Sequence, residues 1–204
     1  MRGTNADEAD RPHSGKWSVA DTMEDRVTIL DLCGGTGSWS RPYADAGYNV
    51  EVIDLSRAHD VRLLEAGKLP EVRGVLAAPP CTVFASSGAR WKRSVGEMKE
   101  ALAIVDACLR VVFAVRPKWW ALENPVGKLT RYLGKPKMYF NPCDYGDPYT
   151  KKTGIWGEFT PPQPTPVAPV EKSPIHHASP GLERAMTRSI TPSGFARAFF
   201  EANP

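Results

Sequence analysis

Val27-Thr-Ile-Leu-Asp-Leu32, running into Cys33-Gly-Gly-Thr-Gly-Ser38, is the stretch whose reading decides the fold. A short β-branched apolar run of this kind makes a buried parallel strand. The glycines after it let the chain turn sharply into a helical stretch reaching about Ala46. Outward from there, Tyr48–Asp54 reads as a second strand closing on an acid, Arg57–Ala66 as a helix and Gly74–Ala78 as a third strand. The alternation is βαβαβ, which predicts a Rossmann-like α/β domain with a mostly parallel sheet and flanking helices. Further on, Ser94 and Glu97 form a capping box that opens a long helix to Val115, ended by Arg116-Pro117. Lys118–Pro125 is the next strand, and Met138–Cys143 and Gly154–Phe159 follow as two more, expected to form a hairpin. Residues 160–174 carry six prolines and predict an extended segment. Thr191 as N-cap with Pro192 in the first turn predicts a last helix to about Ala202.

The chain has 204 residues, 42% hydrophobic and 24% charged, which suits one sizeable domain. No apolar run approaches the roughly 18 residues of a membrane span, and the polar first residues lack a signal-peptide core, so a cytoplasmic location is expected. Cys33, Cys81, Cys108 and Cys143 are scattered without a Cys-x-x-Cys pair, which argues against a metal site and against disulfides. The net charge of +3 permits a polyanionic partner. Its distribution is more informative: residues 1–26 hold six acids and four bases, whereas Arg90-Trp-Lys-Arg93, Lys135, Lys137, Lys151 and Lys152 form basic clusters.

Two features carry chemistry. The strand Gly74–Ala78 runs into Pro79-Pro80-Cys81. Two prolines fix φ and extend the residues before them, so the Cys81 thiol is aimed, as a nucleophile must be. The glycine turn Asp31-x-x-Gly34-Gly35-x-Gly37 lets backbone pass close under a ligand, and Asp54, ending the second strand, is placed for a ribose hydroxyl pair. The spacing is not that of dinucleotide enzymes. Asp31 beside the turn would repel a pyrophosphate but would suit an ammonium, so S-adenosylmethionine is the expected cofactor, with S-adenosylhomocysteine as product.

The chain resembles the DNA (cytosine-5) methyltransferases, as a small member of phage type. Their Asp-Leu-Phe-x-Gly-x-Gly is met by Asp31-Leu-Cys-Gly-Gly-Thr-Gly37, and their Pro-Pro-Cys loop by Pro79-Pro-Cys-Thr-Val-Phe-Ala-Ser86. Their Glu-Asn-Val is met by Glu123-Asn-Pro125, and their Asn-x-x-Asp-Tyr-Gly-x-Pro-Gln-x-Arg-x-Arg by Asn141-Pro-Cys-Asp-Tyr-Gly-Asp-Pro-Tyr-Thr-Lys-Lys-Thr153. Arg188-Ser-Ile-Thr-Pro192 is a weak version of the last motif. The departures are Cys33 for phenylalanine, Tyr149 for glutamine, and Lys151 and Thr153 for the two arginines. Lysine keeps the charge of an arginine but not its bidentate fork.

The resemblance implies roles. Cys81 is the nucleophile, Glu123 holds the cytosine ring, and Pro80, Asn124 and Lys151 complete the catalytic set. Asp31, Leu32, Cys33, Gly35, Thr36, Gly37, Asp54, Leu55, Asp60, Val61 and Pro79 hold the cofactor. Ser86, Ser87, Arg90, Trp91, Lys92, Arg93, Lys151 and Lys152 meet DNA, with the Phe84–Arg93 loop as a lid around a base taken out of its stack. Thiolate addition at carbon 6 makes carbon 5 enamine-like and able to accept a methyl group.

The implied organisation is an N-terminal arm over 1–25, a catalytic domain over 26–159, a proline-rich extension over 160–190 where the family carries a target-recognition domain, and a packing helix over 191–204. Recognition of DNA should then be short or relaxed unless a partner protein supplies it. Two other readings stay open: methyl transfer to a free deoxycytidine nucleotide, and a non-catalytic cofactor- or DNA-binding relative.

Overall fold

The computed structural model describes residues 27–86, 92–170 and 189–204. The expected arm over 1–25, the lid residues Ser87, Arg90 and Trp91, and residues 171–188 of the proline-rich extension lie outside the described residues.

Six strands make one sheet: β1 (Thr28–Leu32), β2 (Asn49–Ile53), β3 (Val72–Ala77), β4 (Trp119–Pro125), β5 (Met138–Phe140) and β6 (Thr153–Glu158), in the order β2-β1-β3-β4-β6-β5. The β1–β2, β1–β3 and β3–β4 pairs are parallel, and β6 runs antiparallel between β4 and β5. The helices are α1 (Arg41–Asp45), α2 (Val95–Val115), α3 (Thr130–Leu133) and α4 (Ser193–Ala202). Among the described residues no helix is long and apolar enough to cross a membrane.

Strand periodicity sorts the core into two layers. Leu30, Leu32, Val75, Ala77 and Leu122 face α2, packing on Val105, Cys108, Val111 and Val112. The alternate residues Ile29, Leu76, Trp119, Ala121 and Ile155 face the other way, onto Tyr43 of α1 and Phe195 and Phe199 of α4. Strands covered on both faces read as continuous apolar runs, as β1 and β3 do. The same alternation places Asp31 and Glu123 on the α1/α4 side of the sheet and Asn124 on the α2 side.

Three local expectations need correction. Residues 57–66 form no α-helix. Short 3-10 turns occur instead at Leu55–Arg57, Val61–Leu63 and Ala66–Lys68. Asp54 and Asp60 each accept the backbone N–H two residues on (2.8 and 2.9 Å), an Asx turn that competes with helix propagation. The helix after the glycine turn covers only Arg41–Asp45. The last helix begins at Ser193, with Pro192 rather than Thr191 at its cap. Its N-terminal amide at Gly194 is satisfied from outside by Asp147 Oδ2 at 2.9 Å, so no local cap is required.

The capping box at Ser94 and Glu97 is present, each side chain meeting the other residue's backbone N–H. Where described, the proline-rich segment is extended. It lies along the Pro142–Pro148 loop through Thr165, Val167 and Val170 amides donating to Asp144, Cys143 and Pro148 carbonyls.

Candidate active site

The carboxyl ends of β1, β3 and β4 open into a cleft of about 550 Å³, its mouth included. Such a crevice is where open α/β sheets hold ligands. From β1 and its turn come Asp31, Cys33, Gly34, Gly35, Thr36 and Trp39. After β3 come Ala78, Pro79, Pro80 and Cys81, and β4 brings Glu123 and Pro125. Lys151, Ser189 and Thr191 complete the wall.

The glycine turn is tightly built. Gly35 and Gly37 adopt φ of +52° and +73°, which only glycine takes without strain. Cys33, at φ +56°, shares that conformation with a side chain attached. The Gly35 amide donates to Asp54 Oδ2 at 3.0 Å, and Asp54 Oδ1 takes the Ser56 amide and hydroxyl. These bonds hold the Asp54 carboxyl below its ordinary value even though burial opposes them.

Asp31 is wholly buried. Ser40 Oγ donates to its Oδ2 at 2.6 Å, while Oδ1 has no partner. Burial pushes its pKa up to about 6, with the Ser40 bond and Arg57 opposing and Asp54 adding to the rise. A buried carboxylate oxygen without a donor calls for one from a ligand.

The Cys81 loop is pinned on several sides. Asn124 Nδ2 donates to the Pro79 carbonyl at 3.0 Å. The Phe84 and Ala85 amides both donate to the Cys81 carbonyl, closing a turn behind the thiol. Beyond it, Ser86 N–H meets the Val126 carbonyl and Lys128 N–H the Phe84 carbonyl, where Gly127 approaches so closely that a Cβ would collide with the Phe84 carbonyl oxygen. Arg93 reaches back from the start of α2 to the Thr82 carbonyl while its other Nη meets Glu97.

Glu123 Oε1 stands 3.9 Å from Lys151 Nζ, with side-chain exposures of 15% and 13%. Burial raises the Glu123 carboxyl above its ordinary value, and Lys151 and a bond from Thr153 pull it back. Lys151 and Thr153, which stand where the resembled motif has arginines, thus both bear on this carboxyl.

Of the sequence candidates, Asp31, Cys33, Gly35, Thr36, Pro79, Pro80, Cys81, Glu123 and Lys151 converge on the cleft. The other described candidates lie elsewhere. Leu32 and Val61 are in the core, Leu55 is exposed, Asp60 is bound to Arg62, and Lys152 lies over the Tyr139 ring at 5.2 Å. Gly37 and Asp54 brace the turn, Asn124 braces the loop, and Ser86 and Lys92 are exposed. Trp39, Ser189 and Thr191 line the cleft without having been site candidates. The weak last-motif likeness of Arg188–Pro192 is the sequence signal for the latter two, and Trp39 had none. Among the described residues no cluster of three potential metal ligands occurs.

No family model matches the chain. It is similar to the type II methyltransferase M.DdeI of Desulfomicrobium norvegicum, at 25% identity over 168 residues, 62% of this chain and 39% of that one. In structure it matches an E. coli chain provisionally described as a DNA modification methyltransferase encoded within a prophage, at 18% identity and a TM-score of 0.50, over 76% of this chain and 56% of that one. The chain shares its Rossmann-like α/β fold with that structure. The chain spans about two fifths of the length of its curated relative.

Proposed function

We propose that the chain is an S-adenosylmethionine-dependent DNA methyltransferase acting at carbon 5 of cytosine. The observation that carries this reading is the convergence of Cys81, Glu123 and the Asp31 glycine turn on one cleft. The likeness to a type II methyltransferase supports it.

The Asp31 carboxyl and the glycine turn would hold the cofactor, which when bound supplies the methyl group as a sulfonium. Cys81 adds through sulfur to carbon 6 of the ring, breaking the 5,6 double bond. Glu123, with its carboxyl raised by burial, donates a proton or hydrogen bond to ring nitrogen 3 and takes up the charge developing there. Lys151 keeps that proton from being held too tightly and orients the carboxyl. Asn124 holds the Pro79 carbonyl and so the direction from which Cys81 approaches. Carbon 5, made nucleophilic by that addition, takes up the methyl group. A water molecule acting as base then removes the carbon 5 proton, Cys81 leaves as the thiolate so that the 5,6 double bond is restored, and Glu123 takes back the proton lent to nitrogen 3.

The test is covalent trapping. DNA carrying 5-fluorocytosine has no proton to lose at carbon 5, so with S-adenosylmethionine present the adduct should persist on Cys81 and appear as a mass increase on the Cys81 peptide. Cys81→Ala should form no adduct and still bind S-adenosylhomocysteine. An adduct elsewhere, or cytosine methylation by Cys81→Ala, would refute the mechanism. Transfer to free deoxycytidine monophosphate but not to DNA would move the substrate assignment.

A further inference from the structure

The loop that carries Cys81 has its carbonyls engaged almost one by one. Asn124 Nδ2 donates to the Pro79 carbonyl at 3.0 Å, the Phe84 and Ala85 amides donate to the Cys81 carbonyl at 3.0 and 2.8 Å, and the Lys128 amide donates to the Phe84 carbonyl at 2.7 Å. The Thr82 carbonyl, directly after the thiol-bearing residue, is met by a side chain from further off. Arg93 Nη2 donates to it at 3.1 Å, from eleven positions along the chain. Cys81 therefore stands between two carbonyls held by side chains, one from β4 and the other from the residue just before the cap of α2.

Arg93 can steady that carbonyl only if the arginine is itself held. Its Nη1 donates to Glu97 Oε1 at 3.1 Å. Glu97 Oε2 in turn accepts from the Ser94 amide at 2.8 Å and the Ser94 hydroxyl at 3.1 Å, within the capping box. The body of α2 packs on the sheet through Val105, Cys108, Val111 and Val112, so its first turn is a fixed point. A guanidinium is a planar fork that can serve two acceptors at once in set directions. This one lies against the protein: its side chain is 26% exposed and its Nε is closed off from solvent, whereas Lys92 beside it is exposed. The resemblance places Arg93 among the DNA contacts, yet both of its terminal nitrogens are engaged by the protein's own acceptors.

We propose that Arg93 is a positioning residue for Cys81, tying the Thr82 carbonyl to the first turn of α2 and so, opposite Asn124, setting the direction in which the thiol points. It does not meet a DNA phosphate. This rests on Cys81 being the nucleophile of the proposed reaction, and it makes the start of α2 part of the machinery that aims the thiol.

Arg93→Lys separates the two roles, because lysine keeps the charge a phosphate needs but cannot span both acceptors as a fork does. The measurements are the rate of adduct formation on Cys81 with 5-fluorocytosine DNA at saturating DNA and S-adenosylmethionine, and the salt dependence of DNA binding. Arg93→Lys and Arg93→Gln should each slow trapping on the order of tenfold to a hundredfold, as small displacements of a reacting group do, with the salt dependence unchanged. Glu97→Gln keeps the capping box, since glutamine serves at that position, and loosens the hold on Arg93. It should cause a smaller loss alone and none in addition to Arg93→Gln, because it acts through Arg93. S-adenosylhomocysteine affinity should be that of the wild type in every variant.

Wild-type trapping by Arg93→Lys would overturn the proposal. So would a salt slope reduced by about one in Arg93→Gln with trapping at saturating DNA unchanged, which is the mark of a lost phosphate contact. Losses that add in the double variant, or a parallel loss of S-adenosylhomocysteine affinity, would show that Arg93 only supports the fold. A wild-type protein that forms no adduct on Cys81 overturns the proposed reaction itself, a result distinct from trapping that is equally fast with and without the arginine.

Discussion

Replacing Asp31 by asparagine should stabilise the ligand-free protein at neutral pH, because the native fold holds this acid where its charge is unwelcome. Its pKa lies near 6 in the folded chain against 3.8 ordinarily. Above 3.8 the unfolded chain has lost the proton, while the folded chain keeps it until about 6. The folded state therefore binds more protons over that window, and stability falls as pH rises through it, levelling off above. At about 1.4 kcal/mol per pH unit, the loss amounts to roughly 3 kcal/mol. Asparagine does not titrate, and its carbonyl can still accept from Ser40. Acids held below their ordinary values, such as Asp54 and Glu97, shift stability in the opposite sense, losing it as pH falls. They do so in both proteins and largely cancel in the difference.

Urea unfolding of both proteins between pH 4 and 8 measures that difference. The advantage of Asp31→Asn should grow by up to roughly 3 kcal/mol from pH 4 to pH 7 and then stay flat. Saturating S-adenosylhomocysteine should reverse the order, since only the wild type has a carboxylate for the ligand's ammonium. A difference that does not change with pH would show that Asp31 is not held protonated by burial, and the argument built on its unpaired oxygen would fall with it.

Gly127→Ala should destabilise the protein by about 2–4 kcal/mol and lower turnover more than cofactor affinity, because the new Cβ displaces the Phe84 carbonyl and with it the Cys81 loop; denaturation paired with S-adenosylhomocysteine titration checks both. Asn203→Ala removes bonds to Thr160 N–H (2.7 Å), the Thr160 carbonyl (2.9 Å) and the Phe199 carbonyl (3.0 Å), and should cost about 2–4 kcal/mol by thermal unfolding. DNA methylated by the purified protein and read by bisulfite sequencing should show at most two or three required base pairs around the target. Lys135, Lys137, Lys151 and Lys152 suit phosphates rather than base edges, and a required motif of four or more base pairs would contradict this.

What was legible in the sequence was whatever depends on neighbours along the chain. The β-branched run 28–32, the Pro79-Pro80 strand end and the Ser94/Glu97 box each carry their structure locally, and each occurs where its pattern predicts. Residues 57–66 misled because apolar spacing says nothing of competition from Asp54 and Asp60 for the backbone amides. The cap of α4 was misplaced by one residue because Asp147, 47 positions before Gly194, supplies the acceptor. Trp39 was invisible as a site residue for the same reason: its position in the cleft is imposed by Phe195 and Phe199, which lie more than a hundred positions away. Tertiary partners decide such cases, and no local pattern encodes them.

The end of β4 shows how the fold converts a two-residue repeat into a constraint on chemistry. Consecutive strand residues point to opposite faces, so Glu123 and Asn124 must serve different sides of the sheet. Glu123 lines the cleft, and Asn124 goes to the α2 side, where it meets the Pro79 carbonyl. The Glu123 carboxyl and the brace of the Cys81 loop thus hang from adjacent residues of one strand. Their relation is set by the pleat of a buried strand, paired on one side with β3 and on the other with β6. A side chain that swings on its own rotamers could not hold Cys81 and the acid to a common geometry. A shared strand end can, and it does so without requiring that either residue be rigid by itself.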